Sequence, residues 1–158
     1  MSIIYKENMM DFYGFYTGKI FDAYKYLGAH VEEKGVTSRT FAPSASRITL
    51  IGEFNDWQEW EMNKVSDGNF WECYVPQAKA GQMYKYKIYD RNSNPVDHCD
   101  PYGFGMELRP SSASIIRDMS KYKFKDSQWL QNRSDCRKKP LNIYEIHFGS
   151  FRKPSDKA

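Results

Sequence analysis

Apolar and polar residues alternate in short runs along most of this chain, and the runs are separated by turn chemistry. Arg47 to Gly52 (RITLIG) turns Ile48 and Leu50 to one side. Phe70 to Pro76 places Trp71, Cys73 and Val75 on one face, and Tyr84 to Asp90 (YKYKIYD) sets Tyr84, Tyr86 and Ile88 against Lys85, Lys87 and Tyr89. A period of two is the signature of a half-buried strand. Further strands are expected from Gly28, over Gly35 to Phe41, and at Ser114-Ile115-Ile116. Ala42-Pro43-Ser44-Ala45-Ser46, Ser66-Asp67-Gly68-Asn69 and Arg91-Asn92-Ser93-Asn94 read as turns. Five to eight short strands at this spacing predict an all-β, immunoglobulin-like β-sandwich.

Both ends of the chain differ from this pattern. Residues 1–27 are aromatic and irregular, with Asp11 placed to cap a short helical piece running towards Phe21 and Tyr24. At the other end, Leu141, Ile143, Tyr144, Ile146 and Phe148 form a nearly continuous apolar run. That is the pattern of a strand buried on both faces of a parallel sheet. Parallel neighbours are reached only through long crossovers, and only Lys153 to Ala158 follow. The run is therefore expected to be an orphan strand that opens a second domain. The predicted organisation is an extension over 1–27, the sandwich over 28–120, a linker over 121–140 and the start of a further domain over 141–158. Unpaired, the apolar stretch 141–148 is also a candidate for self-association.

Composition narrows the classes of function. The 158 residues carry a net charge of +3 with both signs interspersed, whereas a nucleic-acid surface requires basic clustering. No apolar run approaches the roughly 18 residues of a membrane helix, and Met1 to Gly14 lacks the pattern of a secretory signal. Three widely spaced cysteines, Cys73, Cys99 and Cys136, read most simply as reduced thiols of a cytoplasmic protein. No phosphate-binding loop, CxxC pair or HExxH motif occurs, and His98-Cys99 lacks a third ligand at metal spacing. Glu145 and His147 share a face of the terminal strand, where a polar layer inside a larger sheet explains them better than an acid–base pair. No cofactor and no metal is expected.

One loop carries a chemical suggestion. Gly52-Glu53-Phe54-Asn55-Asp56-Trp57 ends a strand on a glycine, can return Phe54 to the core, and turns at Asn55-Asp56. Trp57 is left at the tip, where a rigid indole suits the C–H face of a pyranose ring. Lys85, on the polar face of its strand, could hydrogen-bond sugar hydroxyls. Alternatively, Trp57 packs sideways on the sandwich and Lys85 is simply solvated. Trp71, in an alternating strand, is expected in the core.

Taken in order, these pieces resemble glycogen branching enzymes. The resemblance rests on Gly28-Ala29-His30, Ala42-Pro43-Ser44-Ala45, Gly52-x-Phe54-Asn55-x-Trp57, Tyr84-Lys85-Tyr86 and Asp100-Pro101-Tyr102. Arg109-Pro110-Ser111-Ser112-Ala113-Ser114 and Ile143-Tyr144-Glu145-Ile146-His147-Phe148-Gly149-Ser150 extend it over residues 12 to 153. It implies a family 48 carbohydrate-binding module that precedes a (β/α)8 catalytic barrel, with the terminal strand as barrel strand one. The family cleaves α-1,4-glucan and transfers the cut segment to a 6-hydroxyl through a covalent intermediate on a carboxylate. Those carboxylates belong to later barrel strands, so no catalytic residue is expected in this chain.

By resemblance to the starch-binding modules of AMP-activated kinase, Trp57 and Lys85 would contact sugar, with Asn55 as an additional candidate. A second stacking tryptophan would fall near Asn94 to Val96, where no aromatic stands. Phe41, before Ala42-Pro43, stands where the family shows tryptophan and is expected to fill the same core position. The partner implied is an α-1,4-glucan, with neither nucleic acid nor membrane. A stand-alone glucan-binding scaffold, or the module of a debranching enzyme or trehalohydrolase, is the alternative.

Overall fold

The computed structural model describes residues 9–120, 122–136, 138 and 140–151. The chain divides into two compact units, the first ending at Lys121 and the second beginning at Tyr122.

Among the described residues, nine strands build the first unit: β1 (Gly28–Glu32), β2 (Gly35–Phe41), β3 (Arg47–Gly52), β4 (Trp60–Glu61), β5 (Asn63–Val65), β6 (Phe70–Val75), β7 (Met83–Tyr89), β8 (Pro95–His98) and β9 (Ser114–Ile115). They form two antiparallel sheets. One has the order β1-β2-β6-β5; the other has β4-β3-β7-β8, with β9 also paired to β7. This is the sandwich expected from the alternation. Ile48, Leu50, Trp71, Cys73, Val75, Tyr84 and Tyr86 all lie in the core between the sheets. The Trp71 indole N–H donates to the Ala42 carbonyl at 3.1 Å, so its one polar atom is satisfied. Burial pushes the Cys73 thiol up to about 12, the behaviour of a small apolar side chain. The β7–β8 hairpin turns where Asp90 accepts from the backbone N–H groups of Asn92 and Asn94 at 2.8 and 2.9 Å. An Asx-type turn of this kind is what the Arg91–Asn94 composition predicts.

A buried polar cluster ties the core together. Asp100 is only 4% exposed. It accepts from the hydroxyls of Tyr84 at 2.6 Å and Tyr86 at 3.1 Å, and from the Tyr102 backbone N–H at 2.8 Å. Its own N–H donates to the Ser114 hydroxyl at 2.8 Å, and the Tyr86 and Ser38 hydroxyls are 2.7 Å apart. These bonds link β2, β7, β9 and the segment after β8. Burial raises the Asp100 carboxyl above the usual range, against the hydrogen bonds that lower it. A raised acid is stabilising below its ordinary pKa, and that contribution is lost as pH rises through the folded-state value.

The N-terminal extension is an integral layer rather than an appendage. Helix α1 (Phe12–Tyr16) starts at Asp11, whose carboxylate accepts from the Gly14 N–H at 2.9 Å; the cap is the one the sequence predicts. The helix stops at Tyr16, and a 3₁₀ turn over Ala23–Lys25 follows. Phe12 and Phe15 pack edge-on to Phe70 at centroid distances of 4.8 and 5.4 Å, on the outer face of the β1-β2-β6-β5 sheet. Leu27 and Phe70, both fully buried, centre this second core. Phe41 belongs to it too, 5.1 Å from Phe15 and 5.0 Å from Phe70. Phe41 thus fills a core position, as expected, in the core beneath the extension rather than the one between the sheets. As the last residue of β2 it points away from the opposing sheet, and the extension needs an apolar floor.

The second unit adds a helix and corrects one expectation. Within the presumed linker 121–140, Ser127–Cys136 forms a ten-residue helix, α2. Gln, Leu and Arg favour helix whether or not they are buried, and polarity alone does not separate a linker from a solvated helix. The strand expected over Leu141 to Phe148 is not formed: residues 141–147 have no regular structure, and Phe148–Phe151 makes a helical turn, α3. Leu141, Ile143 and Tyr144 are each about four-fifths exposed. A strand is held by its ladder, and no described residue pairs with this segment. Glu145 and His147 therefore share no strand face. The His147 Nδ1 lies 2.6 Å from the Ser150 hydroxyl instead.

Three substitutions test this account of the core. Phe70→Ala should lower stability by about 3–5 kcal/mol, whereas Tyr24→Ala, half exposed, should stay within about 0.5 kcal/mol; urea unfolding measures both. Asp100→Ala leaves the buried Tyr84 hydroxyl without its acceptor and removes one partner from Tyr86, and should cost about 2–3 kcal/mol. A loss below about 1 kcal/mol would show that the cluster does not brace the sheets.

Candidate functional site

The β3–β7 ladder decides which side chains can meet a ligand. Ile48 opposes Ile88 and Leu50 opposes Tyr86, both facing the core. On the other face the pairs are Arg47 with Tyr89, Thr49 with Lys87, and Ile51 with Lys85. β4 and β8 extend this outer face with Glu61 opposite Thr49 and Asp97 opposite Lys87.

At the end of β3 the chain enters a 3₁₀ turn, Glu53–Asn55. A Cβ on Gly52 would stand 2.6 Å from both the Met83 carbonyl oxygen and the Phe54 ring, so only glycine allows this approach. Phe54 returns to the core, 8% exposed. The Glu53 carboxylate accepts from the Met83 backbone N–H at 2.8 Å, which ties the turn to β7. Asp56 and Trp57 then adopt left-handed backbone with φ of 53° and 58°. Aspartate tolerates this conformation; for a tryptophan it is a genuine outlier that its surroundings must hold in place.

The hold is identifiable. The Trp57 N–H donates to the Gly52 carbonyl at 2.8 Å and the Gln58 N–H to the Asn55 carbonyl at 3.0 Å. The Asn55 side chain accepts from the Gly52 N–H at 3.2 Å and donates to the Gln58 carbonyl at 2.6 Å. Asn55, one of the three candidate contacts, thus has both ends of its amide engaged in bracing the loop. Trp57 remains 40% exposed, and its backbone is folded back onto the end of β3. Lys85 projects from the outer face one residue pair away, opposite Ile51. The loop therefore holds the Trp57 backbone at the Gly52 end of β3, one residue pair from the Ile51–Lys85 pair, and Asn55 braces that position.

Beside them runs a charged row whose members the sequence places in separate segments. Glu59 accepts from the Tyr89 hydroxyl at 2.6 Å, pairs with Lys87 at 3.2 Å and with Arg47 at 2.8 Å. Arg47 also pairs with Glu61 and lies 4.7 Å from the Tyr89 ring centre. The Tyr89 hydroxyl, with help from Lys87 and Arg47, holds the Glu59 carboxyl below the usual carboxylate range. The same bond raises the Tyr89 phenol. Beneath this row the Thr49 hydroxyl is fully buried and, among the described residues, has no hydrogen-bond partner. The one available signal for this row was the outward parity of Lys87 and Tyr89; nothing in the spacing of Glu59 indicates where it reaches.

Residues 26–103 match the family model of carbohydrate-binding module 48, the isoamylase N-terminal domain. The chain is 38% identical to the 1,4-alpha-glucan branching enzyme GlgB of Fusobacterium nucleatum, over 98% of this chain and 26% of that protein. It is 38% identical to GlgB of Dechloromonas aromatica, over 91% of this chain and 24% of that protein. The Geobacillus stearothermophilus GlgB is 36% identical over 93% and 24%. The chain thus spans about a quarter of the length of these relatives. Among solved structures, pullulanase from Anoxybacillus sp. LM18-11 superposes with a TM-score of 0.53 at 22% identity, over 62% of this chain and 14% of that one. Ligand-free PulA from Klebsiella pneumoniae gives 0.52 at 23%, over 66% and 11%. At that identity the structures speak for the fold alone.

The brace on Trp57 predicts a measurable effect. Asn55→Ala removes two side-chain bonds, and amide exchange at Trp57 should accelerate about tenfold, the equivalent of roughly 1.4 kcal/mol. Unchanged exchange would mean that the backbone bonds alone hold the loop. Glu59 should titrate below the ordinary glutamate value in a carboxyl NMR titration; its favourable contribution is present above that ordinary value and is lost as pH falls through the depressed one. Sandwich, loop and matched segment agree: residues 26–103 of this chain belong to carbohydrate-binding module family 48.

Proposed function

We propose that this chain is the N-terminal α-glucan-binding module of a cytoplasmic glycogen branching enzyme, an enzyme that moves cut α-1,4-glucan segments to 6-hydroxyls. The observation that carries the binding role is the geometry of Trp57: an exposed indole at a left-handed position that its loop holds by four hydrogen bonds. A position that costs free energy and is braced from several sides is what pre-organisation of a contact requires. Trp57 stacks on the apolar face of a glucose unit, Lys85 donates to its hydroxyls, and Asn55 keeps the loop in shape. Alignment with branching enzymes over nearly the whole chain supports this parent over a stand-alone scaffold or a debranching enzyme.

In this reading residues 28–120 are the module, 1–27 an N-terminal extension, 121–140 the linker and 141–158 the start of the catalytic domain. The bond-making carboxylates lie outside this chain, so the fragment binds and positions glucan but performs no transfer. The reaction itself draws on carboxylates and requires no cofactor or metal.

With Trp57 as the main platform, affinity for maltooligosaccharides should be around millimolar, about 4 kcal/mol in total. Trp57→Ala should weaken it roughly tenfold in glycogen-containing affinity gels. Equal retardation of both proteins would remove Trp57 from the site. Incubation of the chain with amylose should leave iodine absorbance and reducing ends at the level of buffer. Ending the chain at Lys139 should leave the sandwich folded and reduce self-association through 141–148, as light scattering would report.

A further inference from the structure

We propose that the glucan site does not end at Lys85 but continues along the outer face of β7, with the Glu59–Lys87 pair and Tyr89 as its second half. The inference rests on the reading of Trp57 and Lys85 above and specifies the ligand that site takes: an oligosaccharide longer than a disaccharide, laid along the strand.

Three observations carry it. Lys85, Lys87 and Tyr89 point outward from one strand, and two residues advance about 7 Å along it, so the row spans about 14 Å. Trp57 and Glu59 come from the one loop that joins β3 to β4; the Trp57 backbone is folded back onto Gly52, at the Lys85 end, while the Glu59 side chain reaches across β3 to Lys87 and Tyr89. The two halves are thus one surface, set by a single loop. The second half also has the chemistry for sugar. Tyr89 is a half-buried ring whose orientation is fixed by its bond to Glu59 and by Arg47 above it. Lys87 uses one of its three N–H bonds on Glu59, and its other donors remain for ligand hydroxyls. The unpartnered Thr49 hydroxyl lies beneath this row, between Lys87 and Glu61. Tyr89 thereby supplies the second ring that the hairpin over Asn94 to Val96 lacks.

The test is an NMR titration of the 158-residue chain with maltose and with maltoheptaose, on wild type, Lys87→Ala, Tyr89→Leu and Trp57→Ala. Wild type should bind maltoheptaose at least about tenfold tighter than maltose, with amide shifts at Lys87, Tyr89 and Asp97 only for the longer sugar. Lys87→Ala and Tyr89→Leu should each weaken maltoheptaose about three- to fivefold, leave maltose within twofold, and keep the amide spectrum of the β1-β2-β6-β5 sheet. Trp57→Ala should weaken both sugars. Should Lys87→Ala and Tyr89→Leu bind maltoheptaose as wild type does while Trp57→Ala does not, the extension is wrong and the Trp57 site stands. If Trp57→Ala binds both sugars as wild type does, the underlying reading falls, whatever the other variants do.

Discussion

The antiparallel register between β3 and β7 is the constraint from which most of this molecule follows. A one-residue slip would exchange every side chain on the pair between core and surface. In the observed register Ile48, Leu50, Tyr84 and Tyr86 are buried, while Arg47, Lys85, Lys87 and Tyr89 face outward. The same register brings Gly52 opposite Tyr84, and Gly52 is where the Trp57 loop leaves the sheet. Core packing and the placement of the candidate site are therefore one decision. No charged residue could take an inward position on this pair without losing the inter-sheet core, so the polar row is forced onto a single face.

Asp100 shows how the sandwich is closed beyond its strands. Two tyrosine hydroxyls inside a core need acceptors, and an unsatisfied buried hydroxyl is costly. A carboxylate can accept from both, and the backbone N–H of Tyr102 adds a third bond. The segment after β8 is thereby drawn across the sheet end, and Ser114 of β9 meets the Asp100 N–H from the other side. Burial works against the charge and the hydrogen bonds work for it. The net result is a carboxyl raised above its usual range, yet completely partnered.

Much of this was legible because period-two alternation reports burial directly. Trp71, Cys73, Val75, Tyr84 and Tyr86 were assignable to the core from parity alone, and Asp11 was recognisable as a cap from its chemistry. Phe41 was not: its apolar character says that it is covered but not by which layer, and the cover here is α1. The helix over Ser127–Cys136 was missed because a solvated helix and a linker share a polar composition. The run from Leu141 reads as a strand for its apolar continuity, but a strand exists only with a partner, and no described residue provides one. Within the candidate site, Trp57 and Lys85 were visible as residue types in a motif. Asn55's bracing role depends on which backbone groups lie within reach of its amide, and only the folded loop reveals that.

The charged row on the outer face raises a question of purpose that energetics helps to answer. Arg47, Glu59, Glu61 and Lys87 are partly solvated, and exposed ion pairs add little to stability because solvent screens them and ordering long side chains opposes them. Their effect is better measured in geometry. Glu59 accepts from Tyr89 and Lys87 and pairs with Arg47, so one carboxylate fixes a ring, an ammonium group and a guanidinium relative to each other. Free side chains would each have to be immobilised when a ligand bound, at a cost in affinity that pre-organisation removes. A flexible, hydroxyl-rich chain gains little from any single contact. A surface that recognises one must therefore present several contacts already in place, and the braced Trp57 loop and the Glu59-centred row meet that requirement in the same way.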